Sequence, residues 1–216
     1  MSEAELIDYK TKKTTKLGLE LKEIYDHDPL FVWGVIWTNL YYNSKVIRWY
    51  CDNVGWGVKL SKQELLESIM NSFPNLSKGT LNNAISAMIN MFDNSSLNEA
   101  FNLGILEKKG RAVKFIDKEG VDDELDMLLV AYSFYKVKDD KSRNDFTVSE
   151  LYDENFEGGP YKLFGISQSL LERTLRGLKQ SNEDIIKADL VADLDNIFLT
   201  DNIQTNDLIK FKKEGV

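Results

Sequence analysis

Residues 61–92 read SKQELLESIMNSFPNLSKGTLNNAISAMINMF, and residues 105–116 read ILEKKGRAVKFI. Ser61 and Glu64 have the spacing of a capping box, in which the serine oxygen accepts the N3 amide and the glutamate reaches back to the cap. Leu65, Leu66 and Ile69 then fall at helical spacing, and Phe73-Pro74 stops the run. Ser77 caps a second predicted helix with Leu81, Ile85, Met88 and Met91 on one face. A connector from Asn94 to Gly104 leads into two β-prone runs on either side of Lys109-Gly110, a hairpin signal. Helix, short turn, helix and hairpin together are the winged form of the helix-turn-helix.

Upstream, a helix is predicted from Thr14 or Thr15 to Tyr25. Asp28 caps the next one and Pro29 occupies its first position. Leu30, Trp33, Ile36, Trp37, Leu40 and Tyr41 cover most of that helix, which marks it as central and buried. A further helix runs from Lys45 to Asn53, before Gly55-Trp56-Gly57. The aromatic residues here read as core because they keep helical spacing; the competing reading is a stacking platform for bases.

The same order recurs downstream. A helix over Leu125–Val137 is introduced by Asp122, Asp123 and Glu124, and Lys138–Asp145 reads as a charged loop. Thr147 and Glu150 form a second capping box, Gly158-Gly159-Pro160 breaks the chain, and Ser167 caps a helix with Leu171, Leu175 and Leu178. Ile185–Leu199 reads as two strands turning over Ala192–Asn196. An offset of ninety residues lays Ser77 on Ser167, Leu81 on Leu171, Ile85 on Leu175 and Met88 on Leu178. The predicted fold is α+β and predominantly α: an N-terminal helical layer plus two winged-helix-like units with small β-hairpins. Residues 1–13 are read as a flexible N-terminus, 14–120 as the helical layer and first unit, and 121–216 as the second unit.

The 216 residues include one cysteine, Cys51, and one histidine, His27, which removes intrachain disulfides, thiolate zinc clusters and multi-histidine centres. Cys51 lies in an apolar-aromatic stretch and reads as a structural thiol rather than half of a Cys–His nucleophile. No apolar run approaches the ~20 residues needed to cross a bilayer, and the start of the chain is acidic, so a cytoplasmic location without membrane contact is expected. The net charge of −8 falls unevenly: residues 121–216 carry twelve basic and twenty acidic side chains, and the rest is balanced. DNA binding would therefore rely on a local patch, since the overall field repels phosphate.

That patch is legible in the first unit. Its second capped helix offers Lys78, Thr80, Asn82, Asn83, Ser86 and Asn90, and its hairpin offers Lys108, Lys109, Arg111 and Lys114. Asparagine can pair with adenine edges, and lysine can reach phosphate or guanine. A protein contact made by the same unit is the competing reading. In the second unit Arg173, Arg176 and Lys179 stand beside a hairpin with Asp189, Asp193 and Asp195, so a protein surface fits it better. A nuclease built on Glu107-Lys108-Lys109 would need an upstream carboxylate such as Asp93. The acidic groups around Asp122–Asp126 and Asp189–Asp195 read as solvated charge, and Gly158–Lys162 lacks phosphate-loop spacing. No catalytic residue, metal site or cofactor is expected.

Six strings carry a family resemblance: DPLFVWGVIWTNL (28–40), VIRWY (46–50), FTVSELY (146–152), GPYKLFGIS (159–167), LRGL (175–178) and LVADLDNIFL (190–199). Together they resemble a region attached to, or encoded beside, bacterial proteins related to phosphoadenosine phosphosulfate reductase, some in DNA-phosphorothioation and phage-defence neighbourhoods. The resemblance spans most of residues 19–211. It implies an accessory subunit of a DNA-modification or defence system, with a reductase-like protein as partner and duplex DNA as target. The sulfotransfer half, with its phosphate loop and cysteines, has no counterpart here, so the resemblance assigns sulfur or nucleotide chemistry to that partner or to a missing domain.

Overall fold

Asp28 and Asp126 each cap a long apolar helix, and the fold is organised around those two helices. A computed structural model describes residues 1–110, 112–181, 185–190 and 195–215. The first half runs α1 (Lys16–Tyr25), α2 (Pro29–Asn43), α3 (Lys45–Asn53), β1 (Val58–Ser61), α4 (Lys62–Ser72), α5 (Lys78–Asp93), α6 (Ser96–Glu99), β2 (Ile105–Lys109) and β3 (Ala112–Lys118). The second half runs α7 (Met127–Lys141), β4 (Asp145–Thr147), α8 (Val148–Leu151), α9 (Gly159–Phe164), α10 (Gln168–Ser181), β5 (Ile186–Asp189), β6 (Asn196–Leu199) and α11 (Asp207–Glu214). The protein is α+β and predominantly α, with two small antiparallel sheets of three strands each.

The sheets have matching orders, β1-β3-β2 and β4-β6-β5, so in each the last hairpin strand pairs with a short strand that precedes the first helix. That leading strand ends on the cap residue itself. Ser61 sits opposite Phe115 in the ladder, and its hydroxyl accepts the Glu64 amide while the Glu64 carboxylate accepts the Ser61 amide. Thr147 sits opposite Asn196 and shares the same reciprocal bonds with Glu150. One residue thus closes a strand and opens a helix in both units. Both units run from a short strand through helices to a hairpin that pairs back onto that strand. The hairpin turn expected over Ala192–Asn196 falls mostly outside the described residues.

Helices α2 and α7 pack against each other through Gly34. A Cβ at this position would lie 2.3 Å from Leu129 Cδ2, so any side chain here requires Leu129 to shift. Helix α7 is buried on nearly all sides, from Leu128 to Tyr135 and at Val137. Its polar groups find internal partners: the Tyr132 hydroxyl donates to Asn39 Oδ1 at 2.9 Å, and the Tyr135 hydroxyl donates to the Ile185 carbonyl at 2.8 Å. Trp37 donates its indole N–H to the Leu163 carbonyl at 2.9 Å, and its ring meets Phe92 at 5.7 Å, as does the Tyr50 ring. Trp37, Tyr41, Trp49 and Tyr50 are buried, which makes them core. Lys212 of α11 donates to both helix caps, at 2.7 Å to Asp28 and 2.6 Å to Asp126.

Four expectations change. Residues 1–13, read as flexible, fold onto the body: Ala4 is buried, its carbonyl accepts from Asn39, and Glu5 pairs with Lys136 at 2.8 Å. Asp126, not Asp122–Glu124, caps α7, by accepting the Leu128 and Leu129 amides. The predicted loop at 138–145 is helical as far as Lys141, where Ser142 turns left-handed at φ 52°. Gly158-Gly159-Pro160 breaks the chain but also starts α9, because Gly159 and Pro160 take up its first turn. The sequence reading had no β1, β4, α6 or α11.

Gly34→Ala is expected to push α2 away from α7 and to cost about 1–3 kcal/mol, read as a lower urea midpoint. An unchanged midpoint would show that Leu129 can move aside freely.

Candidate nucleic-acid interface

In the first unit the hairpin is tied to α3. The anchor is Lys118, the last residue of β3. Its side chain is buried, and its Nζ donates to the carbonyls of Tyr50 (3.3 Å), Cys51 (3.1 Å) and Val54 (2.6 Å). The first two belong to the last turn of α3 and the third to its C-cap, where the helix dipole favours a cation; the Tyr50 carbonyl also accepts the Val54 amide at 3.1 Å. The ammonium also lies 4.2 Å from the centroid of the Trp56 ring. Burial pushes it down to about 8. The neighbouring Cys51 thiol is pushed up to about 12 by burial, with Lys118 acting against that rise, so it is a protonated core thiol.

Helix α5 buries Leu81, Ile85, Met88, Ile89 and Phe92. On a helix of 3.6 residues per turn, Asn83 and Asn90 then fall on the opposite side, and both are exposed, as is Lys78 near the N-terminus. Asn82 and Ser86 are half-buried and turn toward α4. The Ser86 hydroxyl is already engaged, donating to the Asn82 carbonyl at 2.7 Å and accepting from Lys62 Nζ at 2.8 Å. The Thr80 hydroxyl shares a 2.8 Å hydrogen bond with Ser77, the cap of the same helix. Serine and threonine near a helix start or one turn along commonly bond their own backbone or cap. Thr80 and Ser86 thus carry local hydrogen bonds, and Lys78, Asn83 and Asn90 are exposed.

The hairpin cations divide in the same way. Lys108 pairs with Asp93 at the end of α5. Lys59 of β1 pairs with Glu107 at 2.5 Å and lies over the exposed Phe115 ring. Lys109 and Lys114 are exposed and have no acidic partner among the described residues. Lys114 stands where the register slips, since Phe115 faces Glu107 and Val113 faces Lys108. Arg111 lies outside the described residues. The carboxylates needed by the nuclease alternative, Asp93 and Glu107, are thus each paired with a different lysine. Lys62 was not singled out in the sequence, although Lys62, Leu66 and Met70 recur every four residues and so mark one face of α4.

In the second unit Arg173 pairs with Glu124 at 2.6 Å, Arg176 with Glu172 at 3.6 Å, and Lys179 donates to the Ala188 carbonyl. Asp195 accepts the amide and hydroxyl of Ser149, bonds that lower its pKa. Asp193 lies outside the described residues. Among the described residues no three His, Cys, Asp or Glu side chains come together as a metal site, and no helix is long and apolar enough to cross a membrane.

No family model and no curated protein matches the sequence. Among solved structures, the SspB crystal structure is similar to this chain: the TM-score is 0.67 at 14% identity, over 98% of this chain and 72% of that one. A magnesium ion-bound SspB crystal structure gives a TM-score of 0.61, also at 14% identity, over 85% of this chain and 60% of that one. The protein shares its fold with SspB. At this identity the likeness is one of fold alone.

A test of the anchor follows from its buried charge. The folded-state pKa of Lys118 lies below the ~10.4 of an unfolded lysine, so the unfolded chain binds more protons between about pH 8 and 10. Stability contributed by this group therefore rises with pH across that window and is lost as pH falls through about 8. Relative to Lys118→Met, the wild type is expected to gain on the order of 2–3 kcal/mol between neutral pH and about pH 10 in urea unfolding. A gap that does not change with pH would mean the carbonyl cage holds the charge without penalty.

Proposed function

We propose that this chain is an accessory DNA-binding protein of a bacterial DNA-modification or phage-defence system, without catalytic machinery of its own. Its first unit acts as a winged helix: α5 enters the major groove of duplex DNA, and the β2–β3 hairpin lies along the backbone. The observation that carries this reading is the exposure of Asn83 and Asn90 on the free side of α5 and of Lys78 near its N-terminus, together with Lys109 and Lys114 on the hairpin, which have no acidic partner among the described residues. Asparagine supplies paired donor and acceptor for adenine, and the lysines supply phosphate contacts that an acidic chain needs locally. The sequence resemblance to a region beside phosphoadenosine phosphosulfate reductase-like proteins supports the same setting. Sulfur or nucleotide chemistry then belongs to the partner.

A second reading is a protein-binding adaptor or scaffold for such a reductase-like partner, without nucleic-acid contact. It is favoured by the half-exposed stripe of Trp33, Ile36 and Leu40 along α2 and by the neutralising Lys108–Asp93 pair.

The test is fluorescence anisotropy with a labelled duplex at about 50 and about 200 mM salt. Binding is expected to weaken steeply with salt, and Lys109→Ala/Lys114→Ala should reduce the log–log salt slope by about 2. Asn83→Ala should instead lower affinity for some sequences more than for others. No binding at the lower salt would favour the adaptor.

A further inference from the structure

Helices α4 and α5 lie side by side and leave a groove of about 490 Å³ between them. Two rows at four-residue spacing line it, Lys62, Leu66 and Met70 on α4 and Lys78 and Asn82 on α5, with Gln63 and Glu67 beside them. Lys62 reaches across to Ser86, so the rows run antiparallel and the two lysines stand at opposite ends. Between them the floor is Leu66 and Met70, each half-exposed. Eight residues of α-helix span roughly 12 Å, so the groove is between two and three turns long.

Phosphates have no use for a leucine and thioether floor, and no aromatic ring lines the groove to stack a base. Glu67 also lines the groove, with its carboxylate accepting from Gln63 at 2.9 Å. An apolar floor walled by two helices suits a third helix laid into it. Cations at both ends select carboxylates at both ends of that helix.

We infer that the α4–α5 groove is a docking site for an acidic amphipathic helix of a partner protein, its apolar face on Leu66 and Met70 and its terminal carboxylates on Lys62 and Lys78. This surface is separate from the free side of α5 assigned to DNA, apart from Lys78, which both would use. The partner and the duplex therefore compete in part.

The experiment uses the full chain and three labelled 15-residue helical peptides with the same two leucines four residues apart. The three carry acidic, neutral or basic residues one turn beyond each leucine. Anisotropy is expected to rank them acidic, neutral, basic, with at least a tenfold spread. Lys62→Glu/Lys78→Glu should reverse that order, and Leu66→Ser should weaken all three; thermal melts check that the variants are folded. The reversal is the decisive readout, because a merely destabilised protein would lose all peptides alike. The inference is overturned if no peptide saturates, if the order ignores charge, or if the lysine reversal leaves the order intact. It is also overturned if Lys62→Glu alone abolishes duplex binding while the peptides fail to bind, since the groove would then be a nucleic-acid contact. Loss of duplex binding in the hairpin variant, with peptide ranking unchanged, leaves this inference standing apart from the DNA reading.

Discussion

The close contact of α2 with α7 at Gly34 sets the distance on which the other elements depend. Because Leu129 fills the space where a side chain would be, the two apolar helices share one interior. Their polar groups are then deep enough to need partners, and the Asn39–Tyr132 pair supplies them between the helices. Asn39 passes the connection on to the Ala4 carbonyl, which is why the first residues lie down against the body. A buried amide with one orphaned end would cost on the order of 1–3 kcal/mol, so this short polar chain is specified as firmly as the apolar contacts around it.

What could be read from the sequence was local. Both capping boxes, the Asp28-Pro29 start and the Ser77 cap depend on residues within four positions of each other, and all appear where expected; the hairpin is there too, with Lys109 paired to Ala112 as the end of β2. The missed strands are three and four residues long and are defined only by a partner far along the chain: β1 by β3 and β4 by β6. Asp126 was passed over because three acids precede it and only the packing of α7 decides which one caps. The candidate interface shows the same division. The residue types on α5 were visible, but their availability was not: Lys108 is claimed by Asp93 fifteen positions away and Ser86 by Lys62 twenty-four positions away.

The two halves share a plan and differ in charge. In the first, cations at the hairpin and at the start of α5 face outward with few acidic partners. In the second, the corresponding arginines are matched by Glu124 and Glu172. A repeated architecture has thus been given two surfaces of different character, and the net acidity of the chain belongs to the half not assigned to DNA. This leaves a local basic face on an acidic molecule, a combination that limits indiscriminate attraction to nucleic acid while permitting contact where shape fits.

Lys212 has a consequence in time as well as in space. It holds the caps of α2 and α7 together, yet it lies in α11, which follows both helices in the chain. During synthesis the central pair can collapse on its apolar faces as soon as α7 has emerged, but two carboxylates then face each other across the helix starts without a counterion. The clasp closes only once α11 has been made and has docked. Lys212 therefore ties two helix starts to a segment that is made after both of them.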